Sequence, residues 1–273
     1  MLPSSSDFLN PLMQGDIPLT SLNLPGGDPA FVARLDLIHP TLSGNKIFKL
    51  WYFLEAYSLG DFRRILTYGG AWSNHLHATA YLCHCLGIPC TGVVRGEAPP
   101  RLSPTLEDCR AWGMELQFVS RSAYAAGVVP PDDALVIPEG GGGSLGVAGA
   151  ALIADRIPGF ETFTHILCAV GTGTTLQGIA RRAQPGQRVI GIPVLAIPHE
   201  HQAAFGPDME FGYSFGGYAK RTPGLLEFMK SFPIPTDFVY TAKAAYALWH
   251  LAWPKDSRIL FIHTGGLQGN RSI

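Results

Sequence analysis

The sequence has no excess of charge of either sign. Its 20 Lys and Arg residues are balanced by 21 Asp and Glu, which gives a formal net charge of −1. Because proteins that bind nucleic acids usually carry a basic balance or a basic patch, we expect no nucleic-acid partner. An anionic ligand would have to be held locally, by backbone amides or by a few placed side chains.

Long apolar runs, a leader-like start and a disulfide pattern are also missing. No apolar run reaches the length that a bilayer requires, so we expect no membrane partner. The first 13 residues contain Pro3, Asp7 and Pro11 without a basic segment, unlike a secretory signal. The five cysteines are an odd number and lack scaffold spacing. These absences predict a cytoplasmic protein whose thiols stay reduced.

Glycine, in contrast, is abundant, and most glycine clusters follow a short apolar run. The chain has 32 glycines, and β-branched stretches alternate with helical stretches along most of its length. This alternation predicts an α/β fold with mainly parallel sheets flanked by helices. Ligands in such folds bind beyond the carboxyl ends of the strands, so the clusters point to one shared site. The segment 198–236 is rich in Gly, Pro and aromatic residues and has no clear assignment.

Lys46 follows Gly44 and Asn45 and opens an apolar helix that is predicted to run to Ser58. Burial and a nearby helix start both disfavour an ammonium ion and lower the pKa of a lysine. A lysine nucleophile needs this shift. Taken alone, the motif is explained better by a surface lysine in a first helical turn.

Ser73, Asn74 and His75 stand at the next helix start, directly after the predicted strand 64–68 and two glycines. Serine and asparagine are usual N-cap residues, and helix-start amides also bind carboxylates. Capping and substrate binding are therefore compatible at this position.

A glycine-threonine loop follows the predicted strand 165–170 and opens another helix. Small residues and hydroxyls at a helix start can hold a phosphate group. The residues are Gly171, Thr172, Gly173, Thr174 and Thr175. A dinucleotide site is the alternative, because Gly171, Gly173 and Gly178 form a loose glycine fingerprint. That alternative is weakened because residues 189–196 contain no Asp or Glu to hold a ribose hydroxyl.

Two further motifs complete the set. They are Val239-Tyr240-Thr241-Ala242-Lys243, which we place at a strand–helix junction, and His263-Thr264-Gly265-Gly266 after the last predicted strand. Taken alone, each of these motifs would be interpreted as part of the core or as a turn. In this order, however, the five motifs resemble the D-cysteine desulfhydrase / 1-aminocyclopropane-1-carboxylate (ACC) deaminase family over nearly the whole chain, from about Phe31 onward.

The resemblance implies a pyridoxal 5'-phosphate (PLP) cofactor and the two-domain fold type II of tryptophan-synthase-β-like enzymes. Residues 1–47 and 140–273 would form the large PLP-binding domain, and residues 48–139 a small inserted α/β domain, with PLP between them. The family also implies a small amino acid as substrate and a homodimer.

The resemblance further implies a role for each matching residue. Lys46 matches the Schiff-base lysine and acts as the catalytic base, and Asn74 matches the asparagine that holds the ring hydroxyl of PLP. The substrate carboxylate is received by Ser73, Asn74 and His75. The phosphate is bound by Gly171, Thr172, Gly173, Thr174 and Thr175. Tyr240 and Tyr218 match two catalytic tyrosines near the substrate.

Two threonines indicate the branch of the family. The deaminase branch carries glutamate after the Val-Tyr pair and leucine after the final histidine, whereas this chain has Thr241 and Thr264. A neutral partner of the ring nitrogen weakens the electron sink, which suits β-elimination better than opening a cyclopropane. The hypothesis is a D-cysteine desulfhydrase-like lyase that releases pyruvate, ammonia and sulfide. ACC deaminase and a non-catalytic PLP-binding protein are the alternatives.

Some features of the sequence fit less well or point elsewhere. Trp72 and His77 replace a glutamine and an arginine of the family pattern. The stretch Gly212 to Gly216 fits the serine hydrolase motif, but Pro207 before it and Gly217 after it indicate a loop. A metal site is suggested by His75, His77, Cys83, His84 and Cys85. The two cysteines point to different helix faces, so we expect buried helix residues and no metal.

Overall fold

A computed structural model describes residues 13–27, 29–42, 44–202 and 208–272. Ser43 of the first motif and Pro207 lie outside the described residues. The described strands are β1 (Leu19–Asn23), β2 (Pro29–Arg34), β3 (Arg64–Gly69), β4 (Cys90–Arg95), β5 (Glu115–Val119), β6 (Ala134–Ile137), β7 (His165–Val170), β8 (Arg188–Pro193) and β9 (Ile259–His263). The described helices are α1 (Lys46–Leu59), α2 (Asn74–Leu86), α3 (Pro104–Ala111), α4 (Arg121–Ala126), α5 (Gly143–Asp155), α6 (Thr174–Ala180), α7 (His199–Gln202), α8 (Pro223–Ser231) and α9 (Thr241–His250).

The chain divides into two compact units. The first contains Lys46–Gly149 with described residues 13–15 and 271–272, and the second contains Asp16–Asn45 and Ala150–Asn270. The small domain proposed from the sequence, 48–139, encloses the whole sheet of the first unit. The first unit also includes residues 140–149, because Gly149 of α5 packs directly on the backbone of Phe48 in α1.

The second unit is built on a five-stranded sheet in the order β1-β2-β9-β7-β8. Only β1 runs antiparallel, and the other neighbouring pairs are parallel. β7 and β9 are buried along their whole length, which is why they read as continuous apolar runs rather than alternating ones. The sheet packs on an apolar core that includes Val32, Leu167, Ile192, Leu248 and Phe261.

The first unit is built on a four-stranded parallel sheet in the order β5-β4-β3-β6. Three of its helices have a serine at the N-cap. The hydroxyls of Ser73, Ser103 and Ser120 each accept a hydrogen bond from the backbone N–H three residues later. The α/β fold class expected from the sequence is confirmed by both sheets. Among the described residues, none of the helices combines the length and the apolar character needed to cross a lipid bilayer.

The structure also corrects the sequence-based assignment at several places. β1, α4, α7 and α8 were not predicted, and both α7 and α8 lie in the segment 198–236 that had no assignment. Among the described residues, the segment directly before Tyr240 is not a strand, so the predicted strand–helix junction is wrong. Instead, the carboxylate of Asp237 accepts hydrogen bonds from the N–H groups of Val239, Tyr240 and Thr241 and starts α9 from an irregular segment.

A methyl group at Gly149 would overlap the backbone carbonyl of Phe48. We expect Gly149→Ala to lower the free energy of unfolding by about 2 kcal/mol, because overpacking outweighs the gain in helix propensity. Gly224→Ala is the matched control, since Gly224 is also helical and nothing outside its own helix lies within 4 Å of the new methyl. Urea unfolding followed by circular dichroism measures both variants. Equal midpoints would contradict the packing explanation.

Candidate active site

The carboxyl ends of three adjacent strands of the second unit carry three of the predicted motifs. β2, β9 and β7 are neighbours in the sheet, with Arg34 paired to His263 and Leu167 paired to Phe261. The chain leaves β2 toward Gly44-Asn45, leaves β9 at Thr264 and leaves β7 into the glycine-threonine loop. Because parallel strands end at the same edge, these segments meet where ligands bind in such sheets.

Asn45 joins these segments through two hydrogen bonds. Its backbone N–H donates to the Thr264 carbonyl at 3.1 Å, and its side-chain amide donates to Thr175 Oγ1 at 2.8 Å. Gly44 makes this approach possible, because any Cβ there would collide with the backbone of Thr264, and its φ of +91° favours glycine. We call Asn45, Thr175 and Thr264 with these two bonds the Asn45 clamp. The clamp fixes the residue that directly precedes Lys46.

Lys46 itself is the first residue of α1 and is partly buried. Three residues later, Lys49 is buried, with 3% of its surface exposed. The structure therefore offers a second lysine close in sequence, and a labelling experiment has to distinguish the two.

The loop after β7 has the composition of an anion cradle. Gly173 precedes α6 with a φ of +78° and no side-chain cap, and the hydroxyls of Thr172 and Thr174 lie 3.0 Å apart. A Cβ at Gly171 would come within 3.0 Å of the Tyr240 ring, so glycine keeps the backbone open there. The five residues 171–175 supply N–H and hydroxyl groups and no carboxylate, which suits a phosphate. Gly178 of the loose dinucleotide fingerprint has another explanation, since it packs against Ala150.

Tyr240 and Tyr218 lie next to each other in the second unit. The Tyr240 hydroxyl donates to the Tyr218 hydroxyl at 3.3 Å, and the rings meet edge to face with centroids 6.0 Å apart. Tyr218 is exposed, at 46%. Tyr240 packs on Gly171 of the loop, so the structure brings both predicted tyrosines to the same edge of the sheet.

Thr241 is placed differently from what its role as a cofactor contact requires. It is fully buried, and its hydroxyl donates to Asp237 Oδ1 at 2.7 Å while accepting from the Asp237 N–H at 2.7 Å. Burial raises the pKa of Asp237, although hydrogen bonds from residues 239–241 act in the other direction. Because the Thr241 hydroxyl is occupied in this helix start, Thr264 is the better candidate for the ring nitrogen.

Ser73, Asn74 and His75 lie in the first unit, at the start of α2. The Ser73 hydroxyl accepts from the Leu76 N–H at 3.2 Å and caps the helix, and Asn74 is the first helical residue. The first N–H groups of a helix have no acceptor within the helix, and carboxylates bind such groups. The predicted capping role and the predicted carboxylate site therefore coincide.

The ring of His75 is held in one tautomer. The Thr67 hydroxyl donates to the Ile137 carbonyl at 2.8 Å, so it must accept from His75 Nε2–H at 2.7 Å. Burial first, and the charges of Lys49 and Lys46 next, lower the pKa of His75 well below its ordinary value. His75 Nδ1 is thus an unprotonated acceptor, buried and without a hydrogen-bond partner in the described part of the chain. A buried polar atom of this kind fits a ligand group that donates a hydrogen bond.

The remaining motif residues serve packing. His77 is buried and binds Asp108 at 3.1 Å, and its ring packs edge to face on Trp112. Among the described residues, no group of three or more His, Cys, Asp or Glu could hold a metal ion. The segment around Ser214 is irregular, with Gly212, Phe215 and Gly216 at positive φ, and does not form a strand–turn–helix.

A buried ionic cluster, which includes the residue before Thr264, was not predicted from the sequence. Arg34 donates two hydrogen bonds to Asp36, at 2.8 and 2.6 Å, and His263 Nδ1 lies 3.0 Å from the same carboxylate. Burial acts to raise the pKa of Asp36, but hydrogen bonds from Arg34 and His263 outweigh it and hold the pKa well below its ordinary value. This cluster ties the ends of β2 and β9 together, directly before Thr264.

Comparisons with known proteins identify relatives of this chain. A family model described as pyridoxal-phosphate dependent enzyme matches residues 12–212. The mitochondrial bifunctional D-cysteine desulfhydrase/1-aminocyclopropane-1-carboxylate deaminase of Arabidopsis thaliana is 29% identical over 98% of this chain and 82% of its own. A Thermotoga maritima protein provisionally named a 1-aminocyclopropane-1-carboxylate deaminase is 31% identical, over 88% of this chain and 89% of its own.

Solved structures show the same fold. An ACC deaminase homologue matches with a TM-score of 0.76 and 25% identity, covering 99% of this chain and 97% of the other. An O-acetylserine dependent cystathionine beta-synthase from Helicobacter pylori matches in fold, with a TM-score of 0.66 and 16% identity over 100% and 98% of the two chains. The fold type II that the resemblance implies for this chain is confirmed. The chain belongs to the family of pyridoxal-phosphate dependent enzymes, in the group that includes the D-cysteine desulfhydrase and ACC deaminase relatives.

PLP is therefore the cofactor, and the resemblance inferred from the ordered motifs is confirmed. The residues present fit it, because the loop 171–175 offers donors to a phosphate and leaves its backbone open at Gly171. The links that sequence reasoning missed are the Asn45–Thr175 bond, the Asp237 helix start and the Asp36 cluster. Their members stand far apart in the chain or resemble ordinary loop residues, so no local pattern marks them.

Asn45→Ala and Thr175→Val each remove the same buried hydrogen bond. We expect each variant to weaken PLP binding about tenfold, because the phosphate loop and the residue before Lys46 are no longer joined. The double variant should bind PLP no more than about threefold more weakly than either single variant, since the two side chains share one interaction. Titration of the apoprotein with PLP measures this, and Asn23→Ala, at an exposed position of β1, is the control. If the losses of PLP affinity in the two single variants simply add in the double variant, the two side chains do not share one interaction.

Proposed function

We propose that this protein is a PLP-dependent lyase that acts on a small amino acid by β-elimination, with D-cysteine as the leading substrate. The observation that carries the proposal is the Asn45 clamp, because it joins the backbone before Lys46 to both the phosphate loop and Thr264. In the net reaction, cysteine and water give pyruvate, ammonia and hydrogen sulfide. The names of the relatives from Arabidopsis thaliana and Thermotoga maritima support this substrate class.

Lys46 has two tasks in this proposal. Its amine would hold the cofactor through the aldehyde carbon, and Nζ would be the base that removes the proton from the substrate Cα. When bound, PLP supplies an electron sink for the carbanion at Cα. The Cβ–S bond then breaks with its electron pair on sulfur.

The other residues orient the substrate and handle protons. The start of α2 receives the substrate carboxylate through Ser73, Asn74 and His75, with Asn74 also holding the ring hydroxyl. Residues 171–175 bind the phosphate. The hydroxyls of Tyr218 and Tyr240, 3.3 Å apart, hold a proton for the departing sulfur. Thr264 is the neutral partner of the ring nitrogen, because the Thr241 hydroxyl already binds Asp237.

There are two alternatives to this proposal. ACC deaminase activity is favoured by the names of several relatives and of the ACC deaminase homologue, and it would release 2-oxobutyrate and ammonia. The neutral threonine at position 264 argues against it, since ring opening without a good leaving group needs a stronger electron sink. A PLP-binding protein without turnover is the third possibility, and release of a keto acid distinguishes it.

The cellular setting belongs to the same proposal. None of the five cysteines, all of which are described, forms a disulfide, and four of them are buried, which supports a reducing compartment such as the cytoplasm. One relative is named as mitochondrial. The homodimer rests on the family resemblance alone, and light scattering of the purified protein measures it.

Borohydride reduction followed by peptide mapping tests the lysine. We expect the PLP mass on Lys46, and we expect Lys46→Ala to lose both the long-wavelength absorption of the lysine-bound cofactor and turnover. Lys255→Ala, at an exposed position, is the matched control and should keep both. Labelling of Lys49 in place of Lys46 would contradict the assignment of Lys46 as the lysine that binds PLP.

A substrate panel tests the reaction. D-cysteine, L-cysteine, D-serine and ACC are assayed separately for pyruvate and 2-oxobutyrate. We expect D-cysteine to give pyruvate with kcat/KM at least about tenfold above that for ACC, because the Cβ–S bond has the better leaving group. The reverse order would assign the deaminase branch, and no keto acid from any of the four would leave PLP binding without turnover.

A further inference from the structure

Lys243 is a buried lysine for which the proposed reaction has no use. It lies in the first turn of α9, has no exposed surface and donates from Nζ to the carbonyls of Val194 at 3.1 Å and Gly217 at 2.6 Å. Burial lowers the pKa of its ammonium to about 8, while the Asp237 carboxylate acts in the opposite direction. A buried ammonium is costly, and an apolar side chain of similar volume often serves stability as well. Its presence at a buried position therefore calls for a reason other than packing.

Lys243 joins two segments through the carbonyls of Val194 and Gly217. Val194 directly follows the end of β8. Gly217 lies in a short loop in which Phe215, Gly216, Gly217 and Ala219 all have positive φ, from 53° to 117°. Non-glycine residues rarely adopt this conformation, and it persists only where the surroundings hold it. The Gly217 carbonyl accepts both the Lys243 Nζ and the Lys220 N–H, the latter at 3.2 Å.

The same loop presents Tyr218. Its hydroxyl accepts from Tyr240, whose ring packs on Gly171 of the phosphate loop. Tyr240 stands at the N-cap of α9 and Lys243 three residues later. The start of one helix thus supplies both one tyrosine and the anchor for the loop that carries the other.

We propose that Lys243 is a positioning residue that holds the Gly217–Tyr218 loop so that the Tyr218 hydroxyl meets the Tyr240 hydroxyl beside the phosphate loop. The catalytic importance of this arrangement rests on the proposed function, whereas the anchoring of the loop does not. Lys243 acts through Tyr218 and contacts neither cofactor nor substrate.

Hydrogen exchange of the PLP-loaded protein tests the anchoring directly. In Lys243→Met, amides of residues 214–220 should exchange about ten- to hundredfold faster than in the wild type, the loss expected for a hydrogen bond to a charged donor. Residues 165–170 of β7 should exchange as before. Lys230→Met, an exposed lysine on α8, is the matched control and should change neither segment. Unchanged exchange at 214–220 in Lys243→Met would overturn the proposal.

Kinetics on the best substrate of the panel test the route through Tyr218. Lys243→Met should lower kcat about ten- to hundredfold with a smaller change in KM, because the tyrosine is misplaced. In a Tyr218→Phe background the same change should cost less than about threefold. A loss of full size in that background would mean that Lys243 acts through general stability, and the proposal would be wrong.

Lys243→Gln covers the case in which the methionine variant does not fold. Its amide keeps one donor, so its loop exchange should lie between wild type and an unanchored loop. If neither variant folds, Lys243 is needed for folding and the positioning role is rejected. Absence of turnover in the wild type would defeat the proposed function, yet the exchange experiment would still decide the anchoring.

Discussion

The arrangement of the candidate site depends on the Asn45 clamp. One residue donates to the backbone after β9 and to a hydroxyl after β7, so it joins three strand ends through two hydrogen bonds. Both bonds are inside the protein, where an unmade partner would leave a buried polar group without water. The clamp is possible only because Gly44 lets the backbones approach and because Arg34, Asp36 and His263 hold β2 and β9 together beneath it. The position of Lys46 follows from that of Asn45, which directly precedes it.

The start of α9 organises the other side of the site in the second unit. Asp237 binds three backbone N–H groups and the Thr241 hydroxyl, which fixes the direction of the helix without a preceding strand. Tyr240 and Lys243 then leave the helix at its first turn, the first to contact Gly171 and the second to bind Gly217. Two buried ionisable groups of opposite sign, Asp237 and Lys243, therefore lie at the start of this helix. Such groups are costly in an apolar interior unless their hydrogen bonds are complete.

Much of the fold could be predicted from local pattern. The runs at 64–68 and 165–170 are strands with almost the same bounds, because short apolar runs with β-branched residues that end at glycine favour a strand. β1 and α4 were missed because they are short and lack periodicity, and their structure comes from pairing and packing. Thr241 shows the limit of a motif match. It occupies the expected position in the sequence, but Asp237, four residues earlier, takes its hydroxyl.

The sequence by itself determined the alternation of strands and helices, the glycines at the strand ends and the ordered motifs that identify the family. These are properties of neighbouring residues, and steric and hydrophobic preferences express them locally. Only the tertiary structure decided which strand ends meet, since Asn45 and Thr175 are 130 positions apart and touch because the sheet order places β9 between β2 and β7. The tautomer of His75 and the anchoring of Tyr218 were likewise decided by groups brought together in folding. A hydrogen bond depends on distance and direction in space, and separation along the chain carries neither.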